Sequence, residues 1–128
     1  MAISIVQLGS ARGKKEGVRI GSVRRPPRGV PKSEFASRNY YDTWLPQLAP
    51  SEALVKKALA SANEREWNAF VKAYRREMND AETSRLLDLL AALSHSSDFA
   101  LGCYCEDEAH CHRSVLRELL QERGAKMR

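Results

Sequence analysis

The sequence has no long apolar run, since no window approaches the roughly eighteen apolar residues that a membrane-spanning helix needs. Its cysteines are few, and their number, three, is odd, which fits a closed disulfide framework poorly. It contains no internal repeat and no low-complexity tract. At the N-terminus the basic residues follow a short apolar run, the reverse of the order in a secretory signal. These absences predict a cytoplasmic protein with reduced thiols and no membrane partner.

The composition that remains is typical of a folded domain, with 43% hydrophobic and 29% charged residues. A chain of 128 residues can bury a core without cross-links, so we expect one domain over residues 1–128. The net charge of +5 permits an anionic partner, either a small molecule such as a nucleotide or a nucleic acid. The chain lacks an RNA-binding aromatic signature and a helix-turn-helix pattern, which weakens the nucleic-acid option. The sequence identifies neither a cofactor nor an oligomeric state.

Three apolar runs rich in β-branched residues predict strands at residues 2–8, 18–24 and 98–104. Roughly seventy residues of mostly helical pattern separate the second and third strands, which favours a parallel pair joined by a helical crossover. Only nine residues join the first two strands, so these are either antiparallel neighbours or not adjacent. The predicted fold class is α/β, with a small mixed sheet of about three or four strands and a Rossmann-like parallel pair.

The loops that leave the second and third strands carry most of the reactive groups. If those strands are parallel, both loops lie at the carboxyl edge of the sheet, where α/β folds bind ligands. The first loop is RRPPRGVPK, whose prolines end the strand, and the second is CEDEAHCHR, which opens into the last helix. We therefore predict a pocket for a phosphate-bearing or other anionic ligand. Its predicted residues are Arg24, Arg25, Arg28, His112 and Arg113.

Three interpretations of the cysteine and histidine cluster at residues 103–113 remain open. Cys111 lies at a predicted helix N-terminus beside His112 and Arg113, where the pKa of a thiol falls, so it is a candidate nucleophile of a thiol enzyme. Alternatively, Cys103, Cys105, Cys111 and His112 form a Cys₃His set suited to zinc. In the third interpretation the cysteines are structural, and the loop arginines are solvated or pair with the acidic residues 106–108.

Three stretches, VRIGSVRRPPRGVPKSEF, DTWLPQLAPSEAL and EWNAFVKAYRREM, resemble the DUF488 family, in particular its YeaO-like branch. Other members of the family carry a cysteine after a late strand and C-H-R at the start of the last helix, features that YeaO-like relatives often lack. This chain has both features, and it has Ser22-Val23 where the branch usually has an aspartate before the arginine that closes the strand. The resemblance implies a compact α/β domain and no assigned activity. The matching residues are Pro27, Arg28, Gly29, Val30, Lys32, Trp44, Leu48, Ala49, Pro50, Ser51, Trp67, Phe70, Tyr74 and Glu77, followed by Cys103 or Cys105, then Cys111, His112 and Arg113.

Overall fold

A sheet of four parallel strands organises the computed structural model, which describes all residues from Met1 to Arg128. The strands are β1 (Ile3–Gln7), β2 (Val18–Gly21), β3 (Thr43–Trp44) and β4 (Phe99–Cys103), in the spatial order β1-β4-β2-β3. The α/β class and the parallel pairing of the second and third predicted strands are confirmed. The first two predicted strands are not adjacent, because β4 lies between them. Every strand pair is parallel, so the sheet is not mixed.

Four helices cover this sheet, three of them in the crossover from β3 to β4. They are α1 (Glu52–Ala60), α2 (Glu64–Met78), α3 (Ala81–Leu93) and α4 (His112–Glu122). The side chains of Ser51, Asn63 and Asp80 each accept a backbone N–H in the first turn of the helix that follows. These caps satisfy backbone donors that have no partner within the helix. The preference of Ser, Asn and Asp for the N-cap predicts helix starts at these three residues from the sequence, and the structure confirms them. None of the helices is long and apolar enough to cross a membrane.

The main core lies where α2 and α4 pack on the sheet, and β4, its central strand, is buried at every residue. The apolar pattern of the last helix predicts four inward-facing residues, and all are buried: Val115, Leu116, Leu119 and Leu120. In α3 only Leu87, Leu90 and Ala91 are buried. The leucine pattern of that helix also predicts Leu89 and Leu93 in the core, but both are exposed, because the buried stripe of α3 runs along the opposite face.

A second, smaller cluster of buried residues lies apart from the main core. Its members are Leu8, Val23, Tyr41, Cys103 and Cys111, with Phe35 and Tyr40 packed against it. Cys103 ends β4 and Cys111 immediately precedes α4, so two of the three thiols belong to this apolar layer. The layer therefore fixes the position of the loop that joins β4 to α4.

Gly102 is the position in β4 that tolerates no side chain. A Cβ atom built there would lie 2.6 Å from the Leu8 side chain and 2.9 Å from the Val6 side chain. Val6 lies opposite Gly102 in the neighbouring strand β1, and Leu8 directly follows that strand, so both are held in place. We therefore expect Gly102→Ala to lower the free energy of unfolding by about 1–3 kcal/mol. Urea denaturation checks this. Gly13→Ala is the matched control, because nothing lies within 4 Å of its built Cβ, and an equal loss in both variants would contradict the prediction.

Candidate active site

The loops that follow β2 and β4 meet at the carboxyl edge of the sheet. The ring Nε2 of His112 lies 2.7 Å from the carbonyl oxygen of Ser22. The Tyr104 hydroxyl donates to the carbonyl oxygen of Arg25 over 2.8 Å. Because β2 and β4 are parallel neighbours, their exits lie side by side, and these two bonds tie one loop to the other. The predicted meeting of the two loops is confirmed.

A cavity of about 340 Å³ lies between these loops and the helices α1 and α2. Its wall is mostly apolar, and its charged groups are cationic side chains with one carboxylate. This volume is at the small end of the range for ligand pockets, so it suits a small molecule or one terminal group of a larger one. The lining residues are Val23, Arg24, Arg25, Pro50, Glu52, Val55, Lys56, Ala58, Leu59, Phe70, Cys103, Tyr104, Cys105, His110, Cys111 and His112.

Three free thiols line this cavity together. The side chains of Cys103 and Cys111 are buried, whereas Cys105, in the loop between them, is exposed. The sulfur atoms of Cys103 and Cys111 and one ring nitrogen of His112 all lie within 4.8 Å of one another. The third thiol, that of Cys105, lines the same cavity. This set of Cys103, Cys105 and Cys111 is called the thiol cluster below.

Only one tautomer of His112 fits its surroundings. A carbonyl oxygen can only accept, so the Nε2 that faces Ser22 carries the hydrogen. Burial lowers the pKa of His112 to about 4, which keeps the ring neutral near pH 7. Its Nδ1 is therefore unprotonated, and it lies 3.7 Å from the Cys111 sulfur. His112 is thus placed to accept a proton from the Cys111 thiol.

The three thiols of the cluster shift one another's pKa in opposite directions. Hydrogen bonds from the thiols of Cys103 and then Cys111 lower the pKa of Cys105, and the charge of Arg113 acts in the same direction. The bond to Cys105 correspondingly raises the pKa of Cys103. At Cys111 the bond to Cys103 lowers the pKa, but the bond to Cys105 and burial outweigh it, and the net direction is upward. Cys105, the exposed member, is therefore the one thiol of the cluster whose pKa is lowered, the direction that favours a thiolate.

Arg113 lies in the first turn of α4, yet it is only 3% exposed. Its Nη2 donates to the carbonyl oxygen of Cys105 over 2.6 Å, and its Nε has no hydrogen-bond partner. Burial alone would lower the pKa of this guanidinium, but the sulfur atoms of Cys103 and Cys111 outweigh burial and raise it. A buried cation with a free donor requires an anion beside it, and a thiolate or an anionic ligand meets that requirement.

Two arginines of the RRPPRG loop line the cavity. Arg24 donates to the carbonyl oxygens of Ala49 and Pro50 over 3.1 and 3.0 Å, which anchors the loop to the start of α1. The side chain of Arg25 is 71% exposed and pairs with Glu52 at 2.5 Å. Arg24 therefore holds the shape of the rim, while Arg25 lies exposed at the rim in an ion pair with Glu52.

The predicted ligand-binding residues thus divide into three groups. Arg24, Arg25 and His112 line the cavity. Arg113 is buried beside the thiol cluster rather than in the cavity wall. Arg28 is exposed and lies outside the residues that line the cavity. The geometry therefore brings together four of the five residues and leaves Arg28 apart.

The acidic residues after β4 do not neutralise the arginines of the RRPPRG loop. Glu108 pairs with Arg117 at 2.9 Å, and Asp107 pairs with His110 at 3.0 Å. Glu106 is exposed. The pairing of these carboxylates with the RRPPRG arginines, expected in the structural interpretation of the cluster, is absent, because each has a nearer partner or faces solvent.

Helix α1 supplies a wall of the site, although none of its residues is among the site residues predicted from the sequence. Val55 and Leu59 are four residues apart and share one helix face, and that face borders the cavity. Leu59 is 80% exposed, which a core position would not be. Lys56 adds a third cation to the rim. Helical spacing alone does not distinguish a core contact from a cavity wall.

Comparisons with known proteins give one match. Neither the curated proteins nor the solved structures include a match to this chain. The family model described as "Active DUF488-N3 subclade" matches residues 3–124, which is nearly the whole chain. The YeaO-like branch stays a prediction. The chain therefore belongs to the DUF488 family, and to its N3a subclade.

Proposed function

We propose that this protein is a thiol enzyme that acts on a small anionic substrate, with Cys105 as its nucleophile. The observation that carries the proposal is the thiol cluster itself, in which one exposed thiol of lowered pKa and two buried thiols line a single cation-rimmed cavity. Thiolate is the reactive form of cysteine, and hydrogen bonds and cations stabilise it. The description of the matched subclade as active supports a catalytic role.

Exposure and the direction of the pKa shifts favour Cys105 over Cys111 as the nucleophile. Cys111 is 2% exposed and packs in the smaller apolar cluster. The net shift of the Cys111 pKa is upward, which disfavours its thiolate. Cys105 is exposed, lines the cavity and has a lowered pKa. Cys111 therefore supports the nucleophile, in place of the attacking role that the sequence suggested.

The cations around the cavity favour an anionic substrate. Arg25 and Lys56 lie on the rim, and Arg113 lies beside the thiol cluster with its Nε unsatisfied. In the proposed step the Cys105 sulfur forms a bond to an acyl or phosphoryl centre, and the bond to the leaving group breaks with its electron pair. Charge grows on the substrate oxygen in that step, and arginine is suited to stabilise it. The small cavity favours a nucleotide-sized or smaller ligand over a nucleic-acid duplex.

The test compares the rates at which iodoacetate, an anion, and neutral iodoacetamide alkylate Cys105, resolved by peptide mass spectrometry. In the folded protein we expect the iodoacetate-to-iodoacetamide rate ratio to exceed that of the urea-unfolded chain by roughly tenfold, because clustered cations concentrate an anionic reagent. Arg113→Met should reduce this ratio. Arg38→Met is the control, since Arg38 is exposed and lies outside the cavity.

Two results would overturn the proposal. If Cys105 reacts no faster than the cysteines of the unfolded chain and shows no preference for iodoacetate, it is not an activated thiolate in an anion site. If the purified protein carries stoichiometric zinc that Cys103→Ser removes, the cysteines and His112 instead form the Cys/His metal module. Metal analysis of both proteins before alkylation distinguishes the two.

A further inference from the structure

Cys105 has a second thiol beside it, and that thiol has its own base. Cys105 and Cys111 line the same cavity, and the Cys111 sulfur lies 3.7 Å from the unprotonated Nδ1 of His112. A lone nucleophile does not need this arrangement. We propose that Cys105 and Cys111 form a redox-active pair, in which a hydroperoxide oxidises Cys105 and Cys111 then closes a disulfide with it. The inference rests on the proposed thiolate at Cys105, but not on any particular group-transfer reaction.

The first step uses the exposure of Cys105. Its sulfur attacks the terminal oxygen of a hydroperoxide, ROOH, so that an S–O bond forms and the O–O bond breaks. The sulfur is oxidised to sulfenic acid, the peroxide is reduced, and the leaving alkoxide takes a proton to become ROH. The mostly apolar cavity wall, with Val55, Leu59 and Phe70, admits a hydroperoxide that carries a small apolar group.

The second step uses Cys111 and His112. The Nδ1 of His112 accepts the Cys111 proton, since its Nε2–H is held by the carbonyl oxygen of Ser22. The resulting thiolate attacks the Cys105 sulfur, forming the S–S bond as the S–O bond breaks, and the hydroxide leaves as water once it is protonated. The net reaction converts two thiols and ROOH into one disulfide, ROH and water, with no other co-reactant.

Backbone geometry selects Cys111 over Cys103 as the partner. Cys103 belongs to the central strand, which pairs with a neighbour on each side, and its carbonyl oxygen accepts from Leu8 N–H over 2.8 Å. It is also only two residues from Cys105, so a bond between them would close a strained ring. Cys111 lies six residues from Cys105, across a loop that contains a single short 3₁₀ turn, Glu108–His110. That loop can move to bring the sulfur atoms of Cys105 and Cys111 together. The strand around Cys103 cannot move in this way without losing hydrogen bonds of the sheet.

The consequence is a reversible block of the reactive thiol. A sulfenic acid without a partner proceeds to sulfinic acid, which ordinary thiol reductants do not reverse. A disulfide with Cys111 stops that progression and is reduced again by cellular thiols. The pair therefore makes Cys105 a reversible oxidation site, which peroxide converts to a disulfide and cellular thiols reduce again to the free thiol.

The test treats the reduced protein with hydrogen peroxide, alkylates the remaining thiols under denaturing conditions and maps the peptides. The wild type should lose two hydrogens through a Cys105–Cys111 disulfide that dithiothreitol reverses. Cys111→Ser should instead accumulate sulfinic acid at Cys105, and Cys103→Ser should still form the disulfide. His112→Asn should slow disulfide closure by at least about tenfold relative to the oxidation of Cys105, because the base is lost.

Other outcomes overturn the pair. A Cys103–Cys105 or Cys103–Cys111 disulfide in the wild type would show that Cys111 is not the partner of Cys105. Sulfinic acid at Cys105 without any disulfide would show that Cys105 has no partner thiol. If Cys105 then keeps its preference for iodoacetate, the thiol enzyme stands and only the redox pair fails. If Cys105 reacts with neither iodoacetate nor peroxide, both proposals fail.

Discussion

Replacing Arg19 by methionine is expected to lower the free energy of unfolding by about 3–5 kcal/mol, the cost of leaving one member of a buried ion pair alone. Arg19 is fully buried, and its Nε and Nη2 each donate to the carboxylate of Glu16 over 2.8 Å. Its Nη1 also donates to the carbonyl oxygens of Ser10 and Asn39. The variant would leave the Glu16 carboxylate, which is 6% exposed, without its cation, and would release two loops from the same anchor.

Urea denaturation of Arg19→Met and of Arg25→Met measures this difference. The Arg25–Glu52 pair is a matched control, because its side chains are 71% and 60% exposed, and pairs of that kind contribute less than about 1 kcal/mol. Similar decreases in the free energy of unfolding in the two variants would mean that the buried ion pair of Arg19 stabilises the fold no more than the exposed pair does. A smaller loss in the double variant of Arg19 and Glu16 than in Arg19→Met would confirm that the orphaned charge causes most of the effect.

Cys105 is expected to remain reactive at pH 5, where an ordinary cysteine is almost entirely protonated. Because the pKa of Cys105 is lowered, its thiolate persists as the pH falls from 8 to 5, whereas a thiol of pKa about 8.5 loses roughly tenfold of its thiolate per unit. The lower basicity of the thiolate offsets part of this gain. We therefore expect iodoacetamide to alkylate Cys105 on the order of tenfold to a hundredfold faster in the folded protein than in the unfolded chain at pH 5.

Variants of Cys103 and Cys111 identify the cause of the reactivity of Cys105. Cys103→Ala and Cys111→Ala each remove one hydrogen bond to the Cys105 thiolate, so each should shift the rate–pH profile of Cys105 to higher pH. Cys103→Ala should have the larger effect, because the bond from Cys103 contributes most. Profiles that stay unchanged in both variants would show that the thiol cluster does not activate Cys105.

The arrangement of the two loops was predictable because it depends on chain direction alone. Parallel strands joined by a helical crossover must send their outgoing loops to the same edge, whatever the side chains are. The starts of α1, α2 and α3 were predictable because Ser51, Asn63 and Asp80 act on backbone groups two or three residues away. An N-cap acts on residues next to it in the chain, so the sequence alone is enough to predict it.

The faces of β2 were not predictable, because their burial depends on distant partners. The pattern of Val18, Ile20 and Val23 suggested an apolar face, yet Val18 is 51% exposed and Arg19 is buried. A guanidinium can be buried when its donors find acceptors, and the acceptors here lie in two other loops. β3 was missed because its two residues are exposed and too few to show a period.

The identity of the candidate nucleophile was also not predictable, because it depends on how separate segments of the chain pack together. The position of Cys111 before a helix indicated a lowered pKa, and the local rule is sound. What the sequence could not show is that all three thiols line one cavity, since a strand end, a loop and a helix start supply one thiol each. The burial of Arg113 was hidden for the same reason, because a first-turn cation usually faces solvent.

The most direct measurement is the ultraviolet absorbance of thiolate, recorded from pH 8 down to pH 4 for the folded wild type and for Cys105→Ser. The difference between the two should show one thiolate that persists below pH 5, and Arg113→Met should shift its loss to higher pH. Identical titration curves for the wild type and Cys105→Ser, with all thiolate absorbance lost by pH 7, would contradict the placement of a stable thiolate at Cys105.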